Sequence, residues 1–142
     1  MARRPSATEP AAELEPSIGF AYVDALVHRD AERLVSLFDG AVEFRALTPS
    51  RNWTADEPDS VVRGIVLGTW FDGVESVSVT RLAGGSVQGR CFVDYELDLV
   101  RHGERYRIAQ YAYYDVCDHK IVWMRVLCSG YRPYPAPAEA PR

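Results

Sequence analysis

The hydrophobic positions in the first part of the chain recur at helical spacing. Over residues 16–38 this spacing predicts two short helices. Ser17 is the expected cap of the first and Asp30 of the second, because both residue types accept hydrogen bonds from free backbone N–H groups. Gly40 is expected to end the second helix, since glycine commonly follows a helix end.

A strand, a loop and a third helix follow in the pattern. Residues 41–47 alternate between apolar and polar side chains, which predicts a strand. Residues 48–58 are rich in turn-forming residues and predict a loop. The third helix is predicted over residues 56–71, with Asp56 near its cap and Pro58 in its first turn. One side of it is apolar, formed by Val62, Ile65, Val66 and Trp70.

From residue 74 onward the period of the pattern is two. It predicts four antiparallel strands, over residues 74–83, 86–101, 104–117 and 120–131. The expected turns are Gly84–Gly85, His102–Gly103 and Asp118–His119. Helices in the first half and strands in the second predict the α+β class, with three helices packed on the concave face of a curved, mostly antiparallel sheet.

A two-residue turn at His102–Gly103 fixes which residues face each other on the two longest strands. One face then pairs Tyr95 with Gln110, and it is apolar and expected to meet the helices. The other face carries an aromatic patch rimmed by charge, which is typical of a protein–protein interface. This register gives the inner pairs Leu97–Ile108, Val93–Ala112 and Cys91–Tyr114, and the outer pairs Asp98–Arg107, Asp94–Tyr111, Phe92–Tyr113 and Arg90–Asp115.

The register of the last strand stays open at this point. A two-residue turn at Asp118–His119 places Trp123 opposite Tyr114 and directs Arg125 inward. A longer turn instead directs Val122, Met124, Val126 and Cys128 inward.

Composition narrows the class of protein. The chain has 142 residues, enough for one domain with a sizeable core, and its net charge of −4 does not favour nucleic acid or an anionic membrane as partner. Three cysteines in no metal-like spacing predict reduced thiols, a cytoplasmic protein and no metal. The ends are rich in Pro, Ala and charge, so residues 1–15 and 132–142 are expected to be disordered, leaving a domain over residues 16–131.

The element order resembles the nuclear-transport-factor-2-like superfamily, which includes ketosteroid isomerase and SnoaL-like polyketide cyclases. The resemblance is carried by "FAYVDALVHRDAERLVSLFDGAVEF" and by the strand segment "DHKIVWMRV", and it covers about residues 16–131. It implies a cone in which a curved sheet encloses a pocket closed by helices. It also implies a homodimer through the outer face of the sheet, where Phe92, Tyr111 and Tyr113 lie.

The resemblance to ketosteroid isomerase is incomplete in its chemistry. Tyr22 matches the tyrosine that the family places in its first helix. The family's first-strand base position falls on Phe44 or Arg45, and its late-strand acid position falls on Ala112 or, if the strand slips, on Tyr113. Steroid isomerase chemistry is therefore not predicted, and the aspartate base of the polyketide cyclases has a counterpart only if Asp115 points inward.

The resulting hypothesis is an enzyme, a polyketide-type cyclase or isomerase without a cofactor, which positions a flexible apolar substrate in an enclosed pocket. The alternatives are a ligand-binding carrier or sensor, and a dimeric interaction module whose interior is filled by side chains. Tyrosine hydroxyls would polarise a carbonyl, and an acid–base version would require Glu43 or Asp115 to face inward. The candidate catalytic residues are Tyr22, Tyr114 and Glu43, and the candidate substrate-binding residues are Tyr95, Gln110, Leu97, Trp70, Trp123 and Arg125.

Overall fold

The structure is a computed structural model that describes residues 15–134. Apart from residue 15 and residues 132–134, the two segments expected to be disordered lie outside the described residues. Arg132–Pro133 forms a short strand, and the N–H of Tyr134 donates a hydrogen bond to the carbonyl of Arg105 at 3.0 Å. Regular backbone pairing therefore continues just beyond residue 131.

Two short helices open the described chain: α1, Pro16–Val27, and α2, Ala31–Ser36. The Asp30 side chain caps α2 as predicted, accepting a hydrogen bond from the backbone N–H of Arg33 at 3.1 Å. The prediction for Ser17 is wrong, because Glu15 occupies the cap position of α1 and no side-chain cap bond forms there. Gly40 does not end α2 either, since the first strand already begins at Phe38.

The third helix is a π-helix, Ser60–Trp70. At its end the N–H of Phe71 donates to the carbonyl of Val66, five residues back, at 2.9 Å. Gly68 suits this wide helix, because a Cβ atom there would lie 1.8 Å from the carbonyl oxygen of Arg63. The predicted apolar side is confirmed: Val62, Ile65, Val66 and Trp70 are all buried.

The strands form one mixed, mostly antiparallel sheet in the order β2-β1-β6-β5-β4-β3, with β7 pairing beside β5. Only the β1–β6 contact is parallel among the strand pairs of the described chain. The helices lie in the first half and the sheet is curved, so the predicted α+β cone is confirmed. The strands are β1, Phe38–Thr48; β2, Arg51–Ala55; β3, Val74–Val87; β4, Arg90–Arg101; β5, Glu104–Cys117; β6, Lys120–Cys128; and β7, Arg132–Pro133.

Two segments predicted as irregular are strands. The expected loop at 48–58 contains β2, which returns along β1 after a turn at Pro49–Ser50. Gly84 and Gly85 do not end β3, which continues to Val87. A Cβ on Gly84 would lie 2.8 Å from the ring of Phe20, and one on Gly85 would lie 3.1 Å from the ring of Phe92. Both glycines thus allow aromatic rings to pack closely on the strand.

The predicted register of β4 and β5 is confirmed at every pair, including Tyr95 with Gln110 and Cys91 with Tyr114. The two expected ion pairs form: Arg90 Nε lies 2.9 Å from Asp115 Oδ1, and Arg107 Nε lies 2.7 Å from Asp98 Oδ1. We call the face of the sheet that carries Tyr95 and Gln110 the inner face, and the face that carries Tyr111 and Tyr113 the outer face.

A β-bulge resolves the open question on the last strand. Cys117 pairs with Lys120 across the two-residue turn, so the turn is short. The register then shifts, because Val116 pairs with Ile121 whereas Asp115 pairs with Trp123, which leaves Val122 as the extra residue. Beyond the bulge Met124, Val126 and Cys128 are buried on the inner face, so Trp123 and Arg125 lie on the outer face.

Candidate functional site

The interior of the cone contains a small polar cluster, which we call the interior cluster: Tyr22, Tyr95, Gln110 and Cys128. Tyr95, Gln110 and Cys128 face one another in a row across β4, β5 and β6. Tyr22 reaches this row from α1, with its ring centroid 6.3 Å from that of Tyr95. All four residues are buried. The strand register thus explains how residues far apart in the chain meet at one place.

Within this cluster the Tyr95 hydroxyl donates a short hydrogen bond to the side-chain carbonyl oxygen of Gln110. That bond fixes the orientation of the Gln110 amide, so that its NH₂ group is left as a donor. Burial raises the pKa of Tyr22 well above its ordinary value, and burial followed by the neighbouring Tyr22 does the same for the pKa of Tyr95. Both phenols are therefore protonated hydrogen-bond donors at neutral pH.

Three buried polar atoms have no hydrogen-bond partner among the described residues: the Tyr22 hydroxyl, the Gln110 Nε2 and the Trp70 Nε1. Each of these groups can donate a hydrogen bond. Leaving such a group unsatisfied in a protein interior costs about 1–3 kcal/mol, so native proteins rarely tolerate several of them without a functional reason. The Tyr22 hydroxyl neighbours the hydroxyl of Tyr95 but makes no hydrogen bond of good geometry with it, so the interior has donors available for a further acceptor.

Carboxylates are absent from this interior as far as the structure describes it. No Asp, Glu, Lys, Arg or His side chain is buried between residues 15 and 134. Glu43 lies exposed on the outer face, where it forms an ion pair with Arg125 that lowers the pKa of its carboxyl. Asp115 also lies on the outer face, bound to Arg90. Neither acid is positioned to act as a base on a molecule inside the cone.

Tyr114 is buried on the inner face, but its hydroxyl is engaged with α1. It accepts a hydrogen bond from the N–H of Gly19 at 2.9 Å and donates to the carbonyl of Pro16 at 3.1 Å. The hydroxyl is therefore held by backbone groups of the first turn of this helix. The sequence expectation placed this group among the catalytic donors, whereas its contacts here are with the helix backbone.

The remaining candidate residues divide between the two faces. Leu97 and Trp70 are buried in the interior. Trp123 and Arg125 lie on the outer face, where the guanidinium groups of Arg90 and Arg125 are 3.8 Å and 4.2 Å from the centroid of the Trp123 indole ring. The structure therefore does not bring Trp123 and Arg125 together with Tyr22 and Gln110, because the bulge at Val122 reverses the direction of their side chains.

Trp70 belongs to a second aromatic group, which the alternation of apolar and polar residues along the chain does not reveal. Its ring contacts Phe44 and Trp53, with centroids 6.1 Å and 6.0 Å away. The Tyr131 hydroxyl donates to the backbone carbonyl of Trp70. Trp53 reaches this group because β2 is a strand paired with β1, which the loop-like composition of residues 48–58 concealed.

Two grooves flank β2 on the molecular surface. One, of about 420 Å³, is lined mainly by Arg45, Leu47, Asn52, Trp53 and Arg125. The other, of about 440 Å³, lies between β2 and the π-helix. Neither lining includes a residue of the interior cluster. Within residues 15–134 no group of three potential metal ligands occurs, and no helix there is long and apolar enough to cross a membrane.

The outer face carries a set of apolar side chains that we call the outer patch: Leu47, Phe92, Tyr111, Tyr113 and Leu127. Leu47 pairs with Leu127 across β1 and β6, and Leu127 pairs with Tyr111 across β6 and β5. The two leucines are 51% and 57% exposed. The rings of Phe92 and Tyr111 stack with centroids 5.5 Å apart, and the ring of Tyr113 meets Tyr111 edge-on at 5.2 Å.

Comparison with known proteins identifies the fold but no relative in sequence. No protein-family model matches the chain, and no curated protein matches it. A proposed polyketide cyclase from Xanthomonas campestris pv. campestris is 15% identical, with a TM-score of 0.63 over 78% of this chain and 87% of that one. An NTF2-like protein from Burkholderia thailandensis E264 is 14% identical, with a TM-score of 0.63 over 80% and 88% of the two chains.

A proposed ketosteroid isomerase from Kribbella flavida DSM 17836 is 19% identical, with a TM-score of 0.56 over 92% of this chain and 94% of that one. At such low identity the likeness concerns the backbone and carries no chemistry with it. In each of these three comparisons the backbone likeness extends over most of both chains. The chain therefore has the nuclear-transport-factor-2-like fold.

Proposed function

We propose that the interior of the cone binds a small apolar molecule that carries an acceptor oxygen. The observation that carries this proposal is the pair of unsatisfied donors, the Tyr22 hydroxyl and the Gln110 amide, in an otherwise apolar interior. A ligand oxygen would satisfy both groups and recover the free energy that their isolation costs. Apolar surroundings with a few converging polar groups are the usual composition of a small-molecule site.

The chemistry that such a site would support is polarisation without a base. Two donors directed at a carbonyl oxygen stabilise the negative charge that develops there during reaction. Holding a flexible chain in a reactive conformation supplies several further kcal/mol, roughly. We therefore propose a polyketide-type cyclase or isomerase that works by orientation through Tyr22 and Gln110. A carrier or sensor would use the same two donors and show no turnover.

Nuclear magnetic resonance tests the binding site directly, since the chain has only three residues with side-chain amides, Asn52, Gln88 and Gln110, and three tryptophans. The probe is 2-decalone, a bicyclic ketone, and its matched control is decalin, which has the same carbon skeleton without the oxygen. We expect 2-decalone to shift the amide signals of Gln110, and we expect Tyr22→Phe to weaken its binding. Equal shifts with decalin, or shifts confined to Asn52 and Gln88, would contradict the proposal.

A second function is supported by the outer patch. We propose that the protein is a homodimer in which two copies bury this face against each other. Leu47, Leu127 and Tyr111 form a continuous row in which both leucines are exposed and Tyr111 is half-buried, and paired charges such as Arg90–Asp115 lie on the same face. An apolar centre with a charged rim is the composition of a protein–protein interface.

Light scattering tests the dimer. We expect the wild-type protein to have twice the chain mass of 15.9 kDa at micromolar concentration. Leu127→Glu should give the monomer, because it places a charge at the centre of the patch. Val87→Glu serves as the matched control, since Val87 is an equally exposed apolar residue outside the patch, on the edge strand. A monomeric wild-type protein, or the same mass for both variants, would contradict this interface.

A further inference from the structure

β3 is the edge strand at one end of the sheet. β3 contains 14 residues, and not one of them is buried. Three large apolar residues at this edge are exposed: Phe20 of α1 at 39%, Val79 at 41% and Leu82 at 43%. We call these three residues the β3 strip. A contiguous exposed apolar patch is a common mark of a ligand-binding or interaction surface.

A β-bulge directs the two strand residues of this strip to the same face. Val79 pairs with Leu97 and Leu82 pairs with Tyr95, although three positions separate them and plain alternation would put them on opposite faces. The bulge at Thr80 supplies the extra residue. It is held in place because the Thr80 hydroxyl lies within hydrogen-bond distance of both the backbone carbonyl and the side chain of Glu96, at 3.1 Å and 3.0 Å.

The strip is continuous with the interior cluster. Leu82 is the direct neighbour of Tyr95, which in turn neighbours Gln110, so exposed and buried positions lie in one row across β3, β4 and β5. Phe20 lies over Gly84, the next residue of β3 on the same face as Leu82. Two strand spacings, about 10 Å, separate Leu82 from Gln110 along this row. At this edge only the width of one strand, β3, therefore separates Tyr95 from solvent.

We propose that the β3 strip holds the apolar body of the ligand whose oxygen is bound by Tyr22 and Gln110. This inference rests on the proposed function and names the class of ligand: a neutral, elongated molecule at least about 10 Å long, apolar along its body and bearing an oxygen at its inner end. The ligand enters at this exposed edge by displacing the Phe20 ring, which packs on Gly84 and joins α1 to β3, and so reaches the four residues of the interior cluster, which are shut off from solvent. The bulge at Thr80 sets the direction of its body by turning Leu82 toward Tyr95.

Fluorescence titration with Nile red, a flat neutral dye with a ring carbonyl, tests this inference. The variants are Val79→Ser and Leu82→Ser, and the matched control is Val87→Ser, which removes a valine of similar exposure from the outer side of the same strand. We expect each strip variant to raise the dissociation constant of the dye by roughly five- to tenfold, since apolar contact area is lost. The control should leave the dissociation constant unchanged.

Including Tyr22→Phe separates the two proposals. Weaker binding in the strip variants and in Tyr22→Phe supports both. Weaker binding in Tyr22→Phe alone supports the interior donors and overturns the strip. Weaker binding in the strip variants alone overturns the proposed function and, with it, the continuous site inferred here. Equal losses in the strip variants and in Val87→Ser would also overturn the strip, and a wild-type protein that does not bind the dye saturably would overturn both proposals.

Discussion

The backbone N–H of Gly19 donates a hydrogen bond of 2.9 Å to the hydroxyl of Tyr114, which joins the first turn of α1 to the middle of the sheet. The contact is close because Gly19 has no side chain: a Cβ there would lie 2.6 Å from the Tyr114 hydroxyl and 2.9 Å from Val93 Cβ. The position of Tyr22, one turn further along the same helix, depends on this anchor.

Gly19→Ala is therefore expected to destabilise the protein by about 1–3 kcal/mol, since the added methyl group overpacks a closed contact. Gly40→Ala is the control, because no atom lies within 4 Å of a Cβ at that position. Its free energy of unfolding should change by no more than about 0.5 kcal/mol. Urea denaturation of both variants measures the difference, and equal effects would show that the α1 anchor is not tight.

The π-helix offers a second matched pair of glycines. Gly68→Ala should lower the free energy of unfolding by about 1–3 kcal/mol or more, because the new methyl group would clash with the carbonyl oxygen of Arg63. Gly64→Ala has free space around it and should be neutral or stabilising by up to about 1 kcal/mol, as alanine favours helical backbone. Thermal unfolding of the two variants tests this, and a harmless Gly68→Ala would mean that the backbone there is not the wide helix described.

Alkaline pH should destabilise the fold through its buried phenols. The pKa values of Tyr22 and Tyr95 are raised by burial, so the unfolded chain ionises near the ordinary pKa of 10.0 while the folded chain keeps its protons. The contribution of the protonated phenols to the free energy of unfolding is fully present below that pH. It is lost as pH rises toward the pKa of the folded state. Between the pKa of the unfolded chain and that of the folded chain, each such phenol lowers the free energy of unfolding by about 1.4 kcal/mol per pH unit.

Urea denaturation across this range measures the slope of the unfolding free energy against pH. Tyr22→Phe removes one of the buried phenols and should make the decline shallower. A wild-type free energy that stays constant well above pH 10.0, or a slope unchanged in the variant, would show that Tyr22 is open to solvent in the folded protein.

Much of the fold could be predicted because its signals are local. The turn at His102–Gly103 and two pairs of opposite charges fix the β4–β5 register, and through it the meeting of Tyr95 and Gln110. Both residues belong to the interior cluster, so the predicted β4–β5 hairpin places two of its four members. The predicted Asp30 cap of α2 is also confirmed, because capping depends on residues within four positions of one another.

The errors concern features that depend on distant packing. The alternation of apolar and polar residues does not indicate the bulge at Val122. Because of this bulge, Trp123 and Arg125 lie on the outer face and not in the expected pocket. Gly84 and Gly85 looked like a turn, because the rings of Phe20 and Phe92 that pack on them come from other elements. The contact of the Tyr114 hydroxyl with the backbone of Gly19 and Pro16 joins residues far apart in the chain, so the sequence pattern predicts this group as a donor to substrate instead.

The Tyr22 hydroxyl makes no hydrogen bond of good geometry within the described chain, and we propose that it is available to a ligand. The most direct test is the free energy of unfolding of Tyr22→Phe without ligand, compared with wild type at neutral pH. We expect the variant to be equally stable or more stable, because removing an unsatisfied buried hydroxyl removes a cost of about 1–3 kcal/mol. A loss of about 1 kcal/mol or more in the free energy of unfolding would show that the hydroxyl already stabilises the fold and would rule out its proposed role in binding a ligand.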